Sequence, residues 1–139
     1  KRVGGTVVAL NTYETEGGGL ELLWEAPTVD VDLSNTLTTS ERTDAVKVPL
    51  NFSTIAHLNY YGDDAAGALV WIYCPDQTSA APSRTLAPLS NAEAPIAGNQ
   101  SSQLFIRTSA TGTIAARGSV ATVDTYRIAT IGFTWARRN

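Results

Sequence analysis

Apolar and polar residues alternate along much of this 139-residue chain. Residues 29–34, for example, read Val-Asp-Val-Asp-Leu-Ser. A period of two places successive side chains on opposite faces of a β-strand, and no window of useful length has the spacing of an amphipathic helix. The pattern therefore predicts an all-β fold built from half-buried strands.

The composition agrees with strands joined by turns. Hydrophobic residues make up 43% of the chain and charged residues only 17%, which is below the usual quarter. The length fits a single domain over residues 1–139. We count eight or nine strands and no helix, which favours an antiparallel β-sandwich of the jelly-roll kind.

Two segments illustrate how strands are assigned. Residues 68–74, ALVWIYC, are apolar on both faces. We predict a central strand there, covered on both sides by this chain or on one side by another subunit. Residues 46–53 also alternate, but Pro49 cannot donate a ladder hydrogen bond, so this segment is predicted as an edge or bulged strand.

The last third of the chain is predicted to be an antiparallel meander. Its three strands are residues 104–110, 114–121 and 125–137. In the last of them, simple alternation puts Ile131, Phe133 and Trp135 on one face.

Two further segments do not fit a sheet. Residues 1–19 are predicted as an N-terminal arm, because Gly17-Gly18-Gly19 separates them from the body. Residues 75–102 contain four prolines in a Ser/Ala-rich stretch and are predicted as a long loop that packs irregularly or wraps over a neighbour. A structureless loop of this length is unusual in a compact monomer, which favours an oligomer.

Charge and hydropathy exclude some partners. The net charge of −3 gives no footprint for nucleic acid. No apolar run approaches the roughly 20 residues that span a bilayer, so we expect no membrane insertion. The chain has no methionine, and we expect it to be processed or part of a longer protein.

The sequence predicts no catalytic residue, metal or cofactor. His57 is the only histidine, so a Ser-His-Asp or Cys-His arrangement would have to use it. Its alternating context favours a surface or interface position on a strand. Cys74 is the only cysteine, and zinc needs three or four His or Cys ligands. Calcium at Asp63 and Asp64 is less easily excluded, although adjacent aspartates in a turn usually only shape it.

The best candidate for recognition is a tyrosine pair beside a polar turn. Tyr60 and Tyr61 precede Asp63 and Asp64, and strand alternation points one tyrosine outward if the other points inward. An exposed tyrosine beside carboxylates suits sugar recognition, so these four residues are predicted to bind a receptor. Alternatively, both tyrosines are packed, one in the core and one at an interface.

Residues 101–139 carry a family resemblance. The matching pieces are Ile106–Ala110 (IRTSA), Ala116-Arg117, Arg127–Phe133 (RIATIGF) and the basic end Arg137–Asn139. This segment resembles the closing segment of bacteriophage tail fibre and tail-tip proteins. The resemblance implies a homotrimeric β-rich domain on the virion surface. Its expected partners are a host cell-surface receptor, glycan or protein, and other virion proteins.

Arginines recur every ten residues in this segment, at Arg107, Arg117, Arg127 and Arg137. One strand and a turn take about that length, so the spacing is predicted to place guanidinium groups on neighbouring strands, near a subunit seam. Trp135 is predicted to lie at the same interface, at a trimer axis or a terminal rim. The alternative is four unrelated, solvated arginines.

Two other functions remain open from sequence alone. One is a capsid or head-decoration protein with a jelly-roll fold, which would also suit an arm and a long loop. The other is a fragment of a capsular glycan depolymerase, for which Glu14, Glu16, Glu21 and Glu25 could nominally supply a carboxylate pair.

Overall fold

The computed structural model describes residues 2–3, 6–7, 10–15, 19–65, 67–76, 91–96 and 100–135. These residues form eleven strands, and none of them is helical. The predicted all-β class is confirmed. The strands are β1 Arg2–Val3, β2 Thr6–Val7, β3 Leu10–Glu14, β4 Leu20–Leu37, β5 Arg42–Ala45, β6 Ile55–Asp63, β7 Ala68–Tyr73, β8 Asn91–Ile96, β9 Gln100–Arg107, β10 Thr113–Gly118 and β11 Val123–Trp135.

The strands form two main sheets and a small hairpin. The larger sheet has the order β3-β4-β11-β6-β9, and the smaller has the order β5-β10-β7-β8. Strands β1 and β2 pair only with each other. Every pairing is antiparallel.

One hydrophobic cluster joins the two main sheets. The five-stranded sheet contributes buried side chains such as Leu58 and Ile128, and the four-stranded sheet contributes Val70, Ile72 and Ile114. The exposed fraction of each of these five side chains is 0%. Burying such a side chain fully contributes about 1.5–3 kcal/mol, so this cluster is the main source of stability.

Strand β7 is central in its sheet, as the sequence predicts. It lies between β10 and β8. Val70 and Ile72 face the main core, while Trp71 and Tyr73 pack on the other face against Ala115 in a second cluster. Trp71 is only 3% exposed and Tyr73 only 6%, so both faces of β7 are buried in the single chain.

A bulge changes which side chains of β11 face the core. The register with both neighbours shifts between Thr130 and Gly132. Thr130 is therefore fully buried and Ile131 is partly exposed, whereas Phe133 returns to the core. The prediction that Ile131 shares a face with Phe133 is wrong, because simple alternation does not anticipate the extra residue.

Residues 46–53 are not a strand, contrary to the sequence prediction. Pro49 lacks an N–H group, and Asn51 has a left-handed backbone with φ of 74°. The segment instead makes isolated bonds, such as that from the Asn51 N–H to the Ala110 carbonyl oxygen at 2.7 Å. Val46 and Val48 are buried as the alternation suggests, but the segment joins no ladder.

The C-terminal strands are not a meander. β9 is an edge of the five-stranded sheet, β10 lies in the four-stranded sheet, and β11 returns to the first sheet between β4 and β6. The prediction fails because successive segments alternate between sheets, and hydrophobic periodicity does not say which sheet a strand joins.

The proposed arm and loop are both partly ordered as strands. Within 1–19, β3 pairs with β4 along the five-stranded sheet. Within 75–102, β8 pairs with β7, and β9 begins at Gln100. The prediction of an irregular loop is wrong for β8 and for the start of β9. Pro95 is tolerated because β8 is an edge strand, where one side of the backbone needs no ladder partner. Residues 77–90 and 97–99 of the loop lie outside the described residues.

Candidate functional site

The tyrosine–aspartate cluster is only partly at the surface. Tyr60 is 1% exposed and packs in the core, and burial raises the pKa of its hydroxyl. Asp64 is 3% exposed. Tyr61 and Asp63 are half-buried, so the predicted alternation of the two tyrosines is confirmed. As a receptor contact the set of four is wrong for Tyr60 and Asp64, because neither side chain reaches solvent.

Tyr61 lines a shallow groove on the outer face of the five-stranded sheet. The groove has a volume of about 480 Å³, and Asn59, Gln103 and Arg127 also line it. The Arg127 guanidinium carbon lies 5.6 Å from the centre of the Tyr61 ring. One face of that ring is therefore occupied from within the chain.

Arg107, Arg117 and Arg127 do not lie on neighbouring strands. Arg107 ends β9 and Arg127 lies on β11, two strands away, while Arg117 lies on β10 in the other sheet. The predicted alignment on neighbouring strands is wrong for these three, because the chain alternates between sheets after β9. Arg137 lies outside the described residues.

His57 is buried on the outer face of the five-stranded sheet. Its Nε2 lies 2.7 Å from Oγ1 of Thr134, and its Nδ1 lies 3.1 Å from Oε1 of Glu21, without the geometry of a hydrogen bond. The ring of Phe105 packs edge-on at 4.7 Å. His57 is thus only 3% exposed, and the prediction of a surface position is wrong. Burial lowers the pKa of His57, and the nearby Glu21 carboxylate partly offsets this.

The sequence of acid, imidazole and hydroxyl in this cluster is that of a hydrolytic triad. Catalysis by a triad also requires an accessible nucleophile and hydrogen-bond donors for an oxyanion. Thr134 lies in β11, which is paired on both sides, with Glu21 on β4 and Ile55 on β6. Backbone N–H groups in such a strand point along the sheet to its neighbours. We therefore assign the cluster no reaction and treat it as a set of polar contacts around the buried His57.

A surface depression with exposed aromatic rings lies at one end of the five-stranded sheet. Four adjacent strands begin or end there: β4 at Leu20, β6 at Ile55, β9 at Arg107 and β11 at Trp135. The depression has a volume of about 960 Å³. We call it the aromatic-end groove, and its lining residues are Leu20, Asn51, Phe52, Ser53, Thr54, Ile55, Arg107, Ala110, Thr134 and Trp135.

A stacked aromatic pair dominates the aromatic-end groove. The rings of Phe52 and Trp135 have centroids 4.9 Å apart and planes inclined by 29°. Trp135 is 46% exposed, Phe52 36% and Ile55 39%. Exposed apolar side chains that lie together make this groove a candidate site of interaction, because single scattered ones are the norm on a protein surface.

Arg107 is the charged side chain of the aromatic-end groove. The sequence identified Arg107 and Trp135 as interface candidates, and the structure places both in this one groove. Phe52 and Ile55 were missed as groove residues. For Phe52 the reason is that a strand pattern in residues 46–53 predicted ordinary alternation there. The positive φ of Asn51, which turns the chain just before Phe52, has no clear sequence signal beyond the asparagine itself.

Other kinds of site were sought in the described ranges. No group of three or more His, Cys, Asp or Glu side chains in them is arranged to hold a metal ion. Nor do these ranges contain a helix long and apolar enough to cross a membrane.

The chain was also compared with known proteins. No protein-family model matches it, and no curated protein sequence matches it.

Proposed function

We propose that this chain is a virion structural domain of a phage tail fibre or tail tip, which binds a host-surface glycan and assembles as a homotrimer. The observation that carries the proposal is the aromatic-end groove. Exposed, stacked Phe52 and Trp135 beside Arg107 combine the residue types that are enriched where proteins recognise partners. The resemblance of residues 101–139 to tail fibre ends supports the same assignment.

The strand order supports a jelly-roll topology. After β3, the chain visits the two sheets in a fixed pattern, with β4, β6, β9 and β11 in one sheet and β5, β7, β8 and β10 in the other. The orders β4-β11-β6-β9 and β5-β10-β7-β8 are those expected for two interlocked Greek keys of eight strands. Jelly rolls are common in viral capsid and lectin domains, so this topology fits a virion protein that recognises sugars.

The same topology also favours the second candidate, a capsid or head-decoration protein. The two candidates differ in what they contact. A fibre domain contacts the host cell, whereas a decoration protein contacts the particle. Binding of purified protein to bacterial cells therefore separates them.

The experiment measures binding of fluorescently labelled protein to a panel of bacterial strains, together with its mass in solution by light scattering. We expect a trimer mass and saturable binding to at least one strain. Trp135→Ala should abolish this binding, because it removes the larger exposed ring of the aromatic-end groove.

Tyr61→Ala is the comparison variant, because the sequence also predicts Tyr61 as a receptor contact. It removes a partly exposed aromatic ring from the opposite end of β6. The pairings Thr125–Asp63 and Thr134–Ile55 mark the two ends of β6, which are on the order of 25 Å apart at ~3.3 Å per residue. Equal loss in both variants would argue against the groove. A monomer that binds no cell would overturn the proposed function.

A further inference from the structure

We propose that the aromatic-end groove binds an acidic sugar, with the sugar carboxylate on Arg107 and the ring on the Phe52–Trp135 stack. This inference rests on the proposed function for its biological role, because it names the chemical class of the receptor. It is a separate claim about chemistry, since a neutral glycan or a protein receptor would equally satisfy the proposed function.

The first argument is the bonding of the arginine side chains that the structure describes. Arg42 donates to both carboxylate oxygens of Asp44, at 2.7 and 2.9 Å. The other two partners are the Thr39 carbonyl oxygen, bonded by Arg117, and the Asp32 carboxylate, bonded by Arg127. Among the described residues, no carboxylate or carbonyl oxygen bonds the guanidinium of Arg107.

The second argument is the charge of the groove. Arg107 is exposed and is the one charged residue among the ten that line the depression. On β4, Thr134 pairs with Glu21, whose carboxylate faces the His57 ring. The groove therefore presents a positive charge with five donors in a planar fork, which matches a carboxylate.

The third argument is the aromatic platform. Pyranose rings present C–H groups on one face and hydroxyl groups at the rim. The stack with Phe52 restrains Trp135, so a sugar ring meets a surface that loses little side-chain freedom on binding. Aliphatic Leu20 and Ile55 extend the apolar floor.

The fourth argument is polar chemistry at the rim. Three hydroxyl groups are already engaged: Ser53 Oγ donates to the Thr108 carbonyl oxygen at 2.6 Å, Thr54 Oγ1 shares a bond with Thr108 Oγ1 at 3.3 Å, and Thr134 contacts His57. The Asn51 side chain is exposed at the mouth of the groove, where an amide can both donate to and accept from sugar hydroxyls. The combination of guanidinium, indole and amide fits an acidic sugar better than a purely apolar peptide.

Intrinsic fluorescence provides a direct readout. Trp24 is 6% exposed and Trp71 only 3%, so Trp135 is the tryptophan that a ligand in solvent can reach. The probes are a tetrasaccharide of alternating N-acetylglucosamine and glucuronic acid, with chitotetraose as its neutral counterpart, and sialyllactose, with lactose as its counterpart. We expect the acidic probes to change the Trp135 emission and the neutral ones to bind at least about tenfold more weakly, since only the acidic probes make a charge-assisted contact with Arg107.

Three variants test the assigned roles. Arg107→Gln should lower the affinity for the acidic probes by about tenfold or more and leave the affinity for the neutral probes unchanged. Arg107→Lys should retain part of the affinity for the acidic probes. Arg127→Gln is the matched control, because it removes an exposed arginine from the same sheet outside the groove. Its affinity should equal that of the unmodified protein. Urea unfolding midpoints verify that each variant is folded.

Several outcomes would overturn the inference. Equal affinity for acidic and neutral probes, or no effect of Arg107→Gln, would show that the guanidinium does not select the ligand. Competition by an acidic peptide but by no sugar would assign the groove to a protein partner. A trimer that dissociates in Trp135→Ala, with no sugar binding, would assign it to a second copy of the chain. Cell binding that persists without acidic-sugar binding would refute only the inference, whereas loss of both would refute the proposed function as well.

Discussion

Phe52 and Trp135 stack with ring centroids 4.9 Å apart, although Phe52 lies in the β5–β6 connection and Trp135 ends β11. Neither ring is enclosed by the core, since 36% of Phe52 and 46% of Trp135 remain exposed. Their contact shapes the groove. Part of the apolar surface of both rings remains exposed to water.

Acrylamide quenching tests this exposure. We expect a biphasic quenching curve, with a readily quenched component from Trp135 and a protected one from Trp24 and Trp71. Trp135→Phe should remove the quenchable component while keeping an aromatic ring beside Phe52. A curve unchanged by this substitution would contradict the exposure of Trp135.

Gly132→Ala should destabilise the fold. A Cβ atom at Gly132 would lie 2.4 Å from the carbonyl oxygen of Leu22 and 2.7 Å from Cδ2 of Leu23. Because the first of these is backbone, the strand pair β4–β11 must move apart at the bulge. We expect the free energy of unfolding to fall by about 1–3 kcal/mol, measured by urea denaturation.

Arg127→Ala provides the comparison for Gly132→Ala, since it changes the same strand at the surface. It removes an ion pair with Asp32 in which the side chains are 47% and 59% exposed. Ion pairs between side chains this exposed contribute little to stability, so this variant should unfold near the midpoint of the unmodified protein. If the two variants lost similar stability, the close packing at Gly132 would be refuted.

Stability should fall in mild acid because of His57. Burial lowers the pKa of His57 below its ordinary value of 6.5. Below pH 6.5 the unfolded chain therefore binds a proton that the folded chain does not, and stability is lost until the pH reaches the lowered pKa. The loss has a slope of at most about 1.4 kcal/mol per pH unit for this one group.

The His57 contribution is isolated by variants. In His57→Gln the stability lost between pH 6.5 and the lowered pKa should be smaller than in the unmodified protein. Glu21→Gln should have the opposite effect, because the Glu21 carboxylate raises the pKa of His57. Its removal lowers that pKa further and widens the pH range over which stability is lost. Thermal unfolding measured at several pH values gives both comparisons. Parallel curves for all three proteins would show that His57 does not titrate differently on folding.

Arg42→Ala should destabilise the four-stranded sheet. The Asp44 side chain is 6% exposed, and the Arg42 guanidinium donates to both of its oxygens. Removing the arginine leaves a buried carboxylate with fewer partners, which we expect to cost about 1–3 kcal/mol in urea denaturation. The double variant Arg42→Ala/Asp44→Asn should recover part of this loss. Additive losses would contradict the coupling of the two residues.

The β-strand pattern was predictable where local alternation is regular. Tyr60 and Tyr61 point to opposite faces as alternation requires, and ALVWIY (Ala68–Tyr73) forms a strand buried on both sides. The phase in β11 was not predictable, because the bulge at Ile131 adds a residue that leaves no mark in the hydrophobic pattern.

The groove was predictable only in part. Arg107 and Trp135 were predicted as interface residues from their residue types and positions, but their proximity depends on which sheet each strand joins. Sequence periodicity records burial and not strand order, so Arg117 was wrongly grouped with them. Phe52 faces the groove because Asn51 adopts a left-handed backbone. The alternating residues around Asn51 do not predict that backbone conformation.

The pairing of Leu20 with Trp135 joins positions 115 residues apart in sequence. Forming this end of the β4–β11 ladder therefore requires most of the chain to close into a loop. The chain entropy is lost on closure, before the strand contacts that compensate for the loss have formed. Chains dominated by such distant pairings fold in about milliseconds to seconds, so we expect slow refolding limited by the meeting of these two strands.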